Sequence, residues 1–131
     1  MARVGDTDRP VVRWSLAADT ANVAVARHRT AELLTDWGYD ELVADAELVV
    51  TELVTNAIIH AETGCQVTVE RTRNGVRISV ADGDGTSRPR PQPFDLEREG
   101  GRGLLIVSTL ASDWGISPGD EGKTVWADLV A

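Results

Sequence analysis

Cysteine is nearly absent from this sequence. Cys65 stands alone, so no intramolecular disulfide can staple the fold, and no Cys/His cluster has the spacing of a metal site. A reducing compartment is the expectation. Long apolar runs are missing too: nothing reaches the roughly 18 consecutive apolar residues that a membrane helix needs, and the amino terminus MARVGDTDRP lacks the apolar core of a signal peptide. The chain is therefore expected in the cytoplasm, away from membranes. Basic charge is scarce, with 13 Lys and Arg against 21 Asp and Glu for a formal net charge of -8. Nucleic-acid affinity comes largely from basic side chains displacing counterions, so direct nucleic-acid binding is disfavoured. Every basic residue except Lys123 is arginine, which reads as coding bias rather than function. Internal repeats are absent as well.

What is present suffices for one domain. A chain of 131 residues, 42% hydrophobic and 26% charged, can bury a real core and is too short to build two. Residues 1–9 are expected to form a flexible amino terminus and 10–131 a single domain. PVVRWSL has the β-branched and aromatic content of a strand, and Asp19 or Thr20 offers a capping oxygen to the helix that follows. That helix is expected to end near Trp37, at Gly38. Asp40 then caps a second helix reaching about Ala61, with Gly64 beyond it. CQVTVERTRNGVRISVAD reads as an antiparallel hairpin, with Val67 and Val69 alternating on one arm, Val76, Ile78 and Val80 on the other, and Asn74-Gly75 as a type I′ turn. A Gly-, Pro- and charge-rich segment of nearly 20 residues follows, longer than an ordinary connection. GLLIVSTLA reads as a buried helix and DWGISPGDEGKTVWADLV as a second hairpin. The order predicts an α/β (α+β) two-layer sandwich, a mostly antiparallel mixed sheet with helices on one face, and a site between the layers.

Three constellations stand out. Along the second helix Glu52, Asn56 and His60 recur at four-residue spacing; with Glu52 at zero, Asn56 falls at about 40° and His60 at about 80°, bordering the apolar arc of Val49, Leu53, Ala46 and Val50. Alone, such a pair is an ordinary solvated flank. ISVADGDG ends a strand at Asp82 with Gly83 and Gly85 behind it, a carboxylate able to accept from an exocyclic amino group beside backbone that can approach a flat ring. Alone, it is a turn. EGGRGLLIV runs Gly100, Gly101 and Gly103 into a helix start, where unpaired amides and the helix dipole favour phosphates and Arg102 adds a charged donor. SPGDEGKT is not a phosphate-binding P-loop, because Ser117 stands where that motif needs Gly and Lys123-Thr124 leads into a strand.

Taken in this order, the Glu-x-x-x-Asn helix, the strand ending in Asp before glycines, and the Gly-x-Gly-Leu helix start resemble the GHKL ATPase superfamily with its Bergerat ATP-binding fold. ELVTNAIIHA, GRGLLIV and GKTVWADL are similar to its small single-domain branch, the anti-sigma-factor serine/threonine kinases, especially actinobacterial ATP-binding regulators. The resemblance implies ATP and Mg²⁺ as cofactors, Glu52 as catalytic base, and Asn56 as the Mg²⁺ ligand. Asp82 would read the adenine amino group beside Gly83 and Gly85, with Thr124 in support. Gly101, Arg102, Gly103 and Leu104 would hold the phosphates, under an ATP lid at about 86–99. It also implies transfer of the γ-phosphate to an anti-anti-sigma (STAS-type) partner, sequestration of a sigma factor, and scope for a homodimer. The alternative is a non-catalytic, nucleotide-responsive module that regulates a partner by contact. A histidine-kinase catalytic domain would need a preceding dimerisation domain, for which the roughly 40 residues before the second helix leave no room. One position departs from the family pattern: Asp84 occupies the first glycine of Asp-x-Gly-x-Gly, a position that Asp tolerates better than most residues.

Overall fold

The computed structural model describes residues 9–61, 64–82, 99–119 and 122–131, with backbone alone at 60–61, 99–102 and 119. The amino terminus expected to be flexible lies outside the described residues except for Arg9, and the expected lid lies outside them except for the backbone of Glu99.

The strands are β1 (Val11–Leu16), β2 (Cys65–Arg71), β3 (Gly75–Asp82), β4 (Asp113–Gly119) and β5 (Gly122–Val130), and the helices are α1 (Ala21–Asp36), α2 (Val43–Asn56) and α3 (Glu99–Leu110). The sheet order is β1-β2-β3-β5-β4, and every pairing among the described strands is antiparallel. Alternation fixes which face is buried. Val67 pairs with Val80 and Val69 with Ile78, and β5 adds Val125, Ala127 and Leu129 to the same inward row. Against that row α2 lays Ala46, Val49, Val50, Leu53 and Val54, all buried; Ala26 and Leu34 of α1 and Leu104 and Val107 of α3 complete the core. The predicted two-layer sandwich is thus observed. Leu105 is 57% exposed, so α3 is amphipathic rather than buried all round.

The outward face is polar. Arg77 of β3 donates to both carboxylate oxygens of Asp128 on β5, at 2.6 and 3.0 Å, and its guanidinium stacks 4.3 Å from the Trp126 ring centroid. Among the described residues no helix is long and apolar enough to cross a membrane.

Chain punctuation follows local chemistry, with three departures from expectation. Asp19 accepts the N–H of Ala21 at 2.9 Å, and α1 stops where Gly38 takes φ +84°; the Gly38 N–H reaches Thr35 O and the Tyr39 N–H reaches Leu34 O, a two-bond left-handed cap. Asp40 caps nothing: residues Asp40–Leu42 form a 3₁₀ turn that runs into α2 without a side-chain cap. The first hairpin turns one residue earlier than expected. Thr72 N–H bonds Gly75 O at 2.8 Å and Arg71 pairs with Val76, which centres the turn on Arg73-Asn74. Gly75 is already in β3, and a side chain there would meet the carbonyl of Leu129 on β5. It is glycine because a neighbouring strand passes too close. Finally, α2 does not continue as an α-helix to Ala61: Ala57–Ala61 is a π-type turn.

Candidate functional site

Two clusters of the residues singled out above emerge, one where α2 meets α3 and one at the end of the sheet. In the first, Glu52 sits half-buried on α2, next to residues that pack on the sheet. The partner helix approaches closely because Gly103 has no side chain: a Cβ there would land on Glu52 Oε1 and lie 3.3 Å from Glu52 Cδ. Glu52 is thereby brought against the fifth residue of α3, just past the first turn, where amides lack intrahelical acceptors and the dipole is positive. Gly101 and Arg102 belong to that helix start, the Arg102 side chain lying outside the described residues. Leu104 is 2% exposed. Its side chain belongs to the core, and as the sixth residue of α3 it stands past the first turn, whose amides are the ones without intrahelical acceptors.

Asn56 is the last residue of α2, one turn beyond Glu52. Its side-chain nitrogen is buried and has no hydrogen-bond partner among the described residues. Whichever end of the carboxamide faces inward, a polar group is buried here at a cost of about 1–3 kcal/mol unless something from outside the fold pairs with it. The π-type turn begins at the next residue, and such wide turns are frequent at functional sites. It also removes the regular 100° spacing that placed His60 on the Glu52 ridge; the His60 side chain lies outside the described residues.

The second cluster closes the end of β3. Asp82, in phase with Val76, Ile78 and Val80, points to the helix-bearing face, and its side chain is only 6% exposed. Opposite it, β5 begins at Gly122 with φ +130°, and a Cβ at this position would land on Asp82 Oδ1. The next residue binds the carboxylate twice. Lys123 donates its ammonium to Oδ2 at 3.1 Å and its backbone N–H to Oδ1 at 3.3 Å. Around this pair lies an open cavity of about 440 Å³, lined by Ser15, Leu16, Cys65, Asp82, Lys123 and Thr124, among others. The Cys65 thiol is pushed from 9.0 up to about 11, first by burial and then by the negative charge of Asp82.

Thr124 lines that cavity, but it pairs with Ala81 and alternates out of phase with Val125, Ala127 and Leu129, which puts its side chain on the outward face with Trp126 and Asp128. Lys123, not Thr124, shares the inward face with Asp82. The signal for this was in the sequence: apolar residues at 125, 127 and 129 place 123 on the buried side of β5. Gly83, Gly85 and Asp84 lie outside the described residues. The lining of the cavity does not include Glu52, Asn56 or Gly103, so the described residues form two separate clusters.

A family model described as the histidine kinase-like ATPase domain matches residues 16–129, nearly the whole described fold and both clusters. No curated protein matches the chain.

Proposed function

The chain belongs to the histidine kinase-like ATPase family, and from that premise we propose that it is an ATP-binding anti-sigma factor with serine/threonine protein kinase activity. The observation that carries the reading is the approach of Glu52 to Gly103, a carboxylate set against α3 just past its glycine-rich first turn, with an unpartnered carboxamide one turn away. The branch and its partners rest on the sequence resemblance.

On this reading Asp82 accepts the exocyclic amino group of adenine beside Gly83 and Gly85. Thr124 supports the base from the cavity rim, through its backbone or water. The phosphates lie against the helix start at Gly101, Arg102, Gly103 and Leu104. Asn56 fits as a hard oxygen ligand for Mg²⁺, an ion that offsets phosphate charge when bound. Glu52 then takes the proton of a serine or threonine hydroxyl on a STAS-type anti-anti-sigma partner. The hydroxyl oxygen bonds to the γ-phosphorus as the bond to the β–γ bridging oxygen breaks, ADP leaves, and the partner carries the phosphoester. Phosphorylation of that partner leaves the sigma factor held by this chain.

A second reading, a nucleotide-responsive module that regulates its partner by contact, is favoured by the Lys123–Asp82 pair, which occupies the base-reading carboxylate. The two separate in one experiment. Transfer of labelled γ-phosphate from ATP and Mg²⁺ to a serine-bearing STAS partner, lost in Glu52→Ala while ATP binding persists, supports the kinase. Saturable ATP binding with no transfer to partners captured from the native cytoplasm supports the module. Calorimetry that detects no heat at millimolar ATP sinks both.

A further inference from the structure

Lys123 is the only lysine of the chain, and its ammonium stands at the carboxylate that the functional reading gives to the base. We infer that Lys123 is an internal competitor for that carboxylate, setting both the strength and the selectivity of nucleotide recognition. The inference rests on the nucleotide reading of Asp82 and deepens it.

The geometry makes the competition direct. The Asp82 side chain is 6% exposed, that of Lys123 is 27% exposed, and they meet at 3.1 Å on the wall of the cavity that would receive the ring. An exocyclic amino group approaching Oδ2 from that cavity meets an ammonium already donating there. The contest is uneven: both donors bond an ionised acceptor, but the ammonium adds the attraction of a full opposite charge, whereas the base brings a neutral donor. The four-carbon stem and its partial exposure let the ammonium swing out, so the pair acts as an equilibrium between a closed and an open carboxylate. Apparent affinity is reduced by the open fraction.

The inference also has a chemical direction. A base with an amino group at its six-position donates to Asp82 and must displace Lys123. A base with a carbonyl there accepts from Lys123 and has no use for a bare carboxylate. Removing the ammonium therefore favours amino over keto purines, which a general loosening of the cavity would not do.

The test is calorimetric titration of the full chain with ATP and with inosine triphosphate, comparing wild type, Lys123→Met, which keeps the stem, and Lys123→Arg, which keeps the charge. Lys123→Met is expected to bind ATP about 10-fold more tightly, with no gain for inosine triphosphate, and Lys123→Arg to resemble wild type. Equal gains for both nucleotides, or weaker ATP binding in Lys123→Met, overturn the competition and leave the ATP reading standing. No binding of either nucleotide by any of the three proteins overturns the ATP reading and the competition with it. A second measurement covers a variant that fails to fold. Lysine-selective ¹⁵N labelling gives a single side-chain signal in wild type, and the competition requires saturating ATP to shift it to that of a solvated ammonium. Persistence of the ligand-free signal under saturating ATP overturns it.

Discussion

Replacing Gly103 and Gly75 by alanine adds the same methyl group at two places that receive it in opposite ways. At Gly103 the new Cβ meets the end of the Glu52 side chain, with Cδ at 3.3 Å and Cβ at 3.4 Å behind it. The first obstacle is the free end of a flexible chain, which can rotate aside for about 0.5–1.5 kcal/mol. The position is inside α3, where alanine is favoured over glycine by about 0.8–1.0 kcal/mol. The two terms nearly cancel, so Gly103→Ala should unfold within about 1 kcal/mol of wild type. At Gly75 the methyl group meets the carbonyl oxygen of Leu129, with the carbonyl carbon at 2.9 Å and Val130 Cα at 3.0 Å, all backbone of the paired strand. Nothing there can rotate away. β3 and β5 must part locally, and the loss should be on the order of 3 kcal/mol. Urea unfolding followed by tryptophan fluorescence measures both. On the proposed kinase reading the functional contrast runs the other way: Gly103→Ala displaces the Glu52 carboxylate, and a misplacement of about 1 Å should cost phosphoryl transfer on the order of 100-fold. A Gly103→Ala protein that loses more than about 2 kcal/mol, or a Gly75→Ala protein that loses less than about 1, refutes the reasoning from close approach.

Asn56→Ala removes a buried donor that has no partner among the described residues; thermal unfolding should show no loss of stability, while affinity for ATP in the presence of Mg²⁺ falls at least about 10-fold, as expected for losing a charge-bearing contact. Cys65 supplies a pH dependence. Its thiol is held protonated up to about 11 in the fold, whereas in the unfolded chain it ionises around the ordinary 9.0. The folded state therefore binds more protons in that window, and stability falls as pH rises through it, by on the order of 2 kcal/mol relative to Cys65→Ala. Parallel denaturation curves for the two proteins from pH 8 to 11 would contradict this. For the same reason Cys65 should react with a thiol reagent at pH 8 far more slowly than it does in urea.

The sheet was largely legible because its strands alternate cleanly. Val67 and Val69 against Val76, Ile78 and Val80 fix both the hairpin and the face it buries. What escaped was set by neighbours distant in sequence. Gly75 looks like a turn residue because Asn-Gly is a strong local signal, yet its reason for being glycine lies in Leu129. The end of α2 at Asn56 has no glycine, proline or cap to announce it, and the wide turn after it depends on packing that periodicity does not carry. Asp40 had the right chemistry for a cap, but the chain enters α2 through a 3₁₀ turn and leaves it no amide to serve. At the site, Glu52 and Gly103 were each visible as parts of motifs, but their contact was not, since 51 positions separate them. Lys123 is obscured for a different reason. It sits in a stretch that mimics a P-loop, and its meaning comes from its place on an alternating strand, where the buried row through Val125 and Ala127 leads straight to Asp82.

The wide turn at Ala57–Ala61 bears on how this chain's length can vary over time. A π-type turn is in effect an α-helix that has taken in one surplus residue, so a single deletion there can be absorbed by reverting to ordinary winding. A deletion within Val43–Asn56 has no such refuge, because it would rotate Val49, Val50, Leu53 and Val54 by about 100° relative to the residues beyond it. Single-residue gaps between this chain and its relatives should therefore gather just after Asn56 and spare the helix before it.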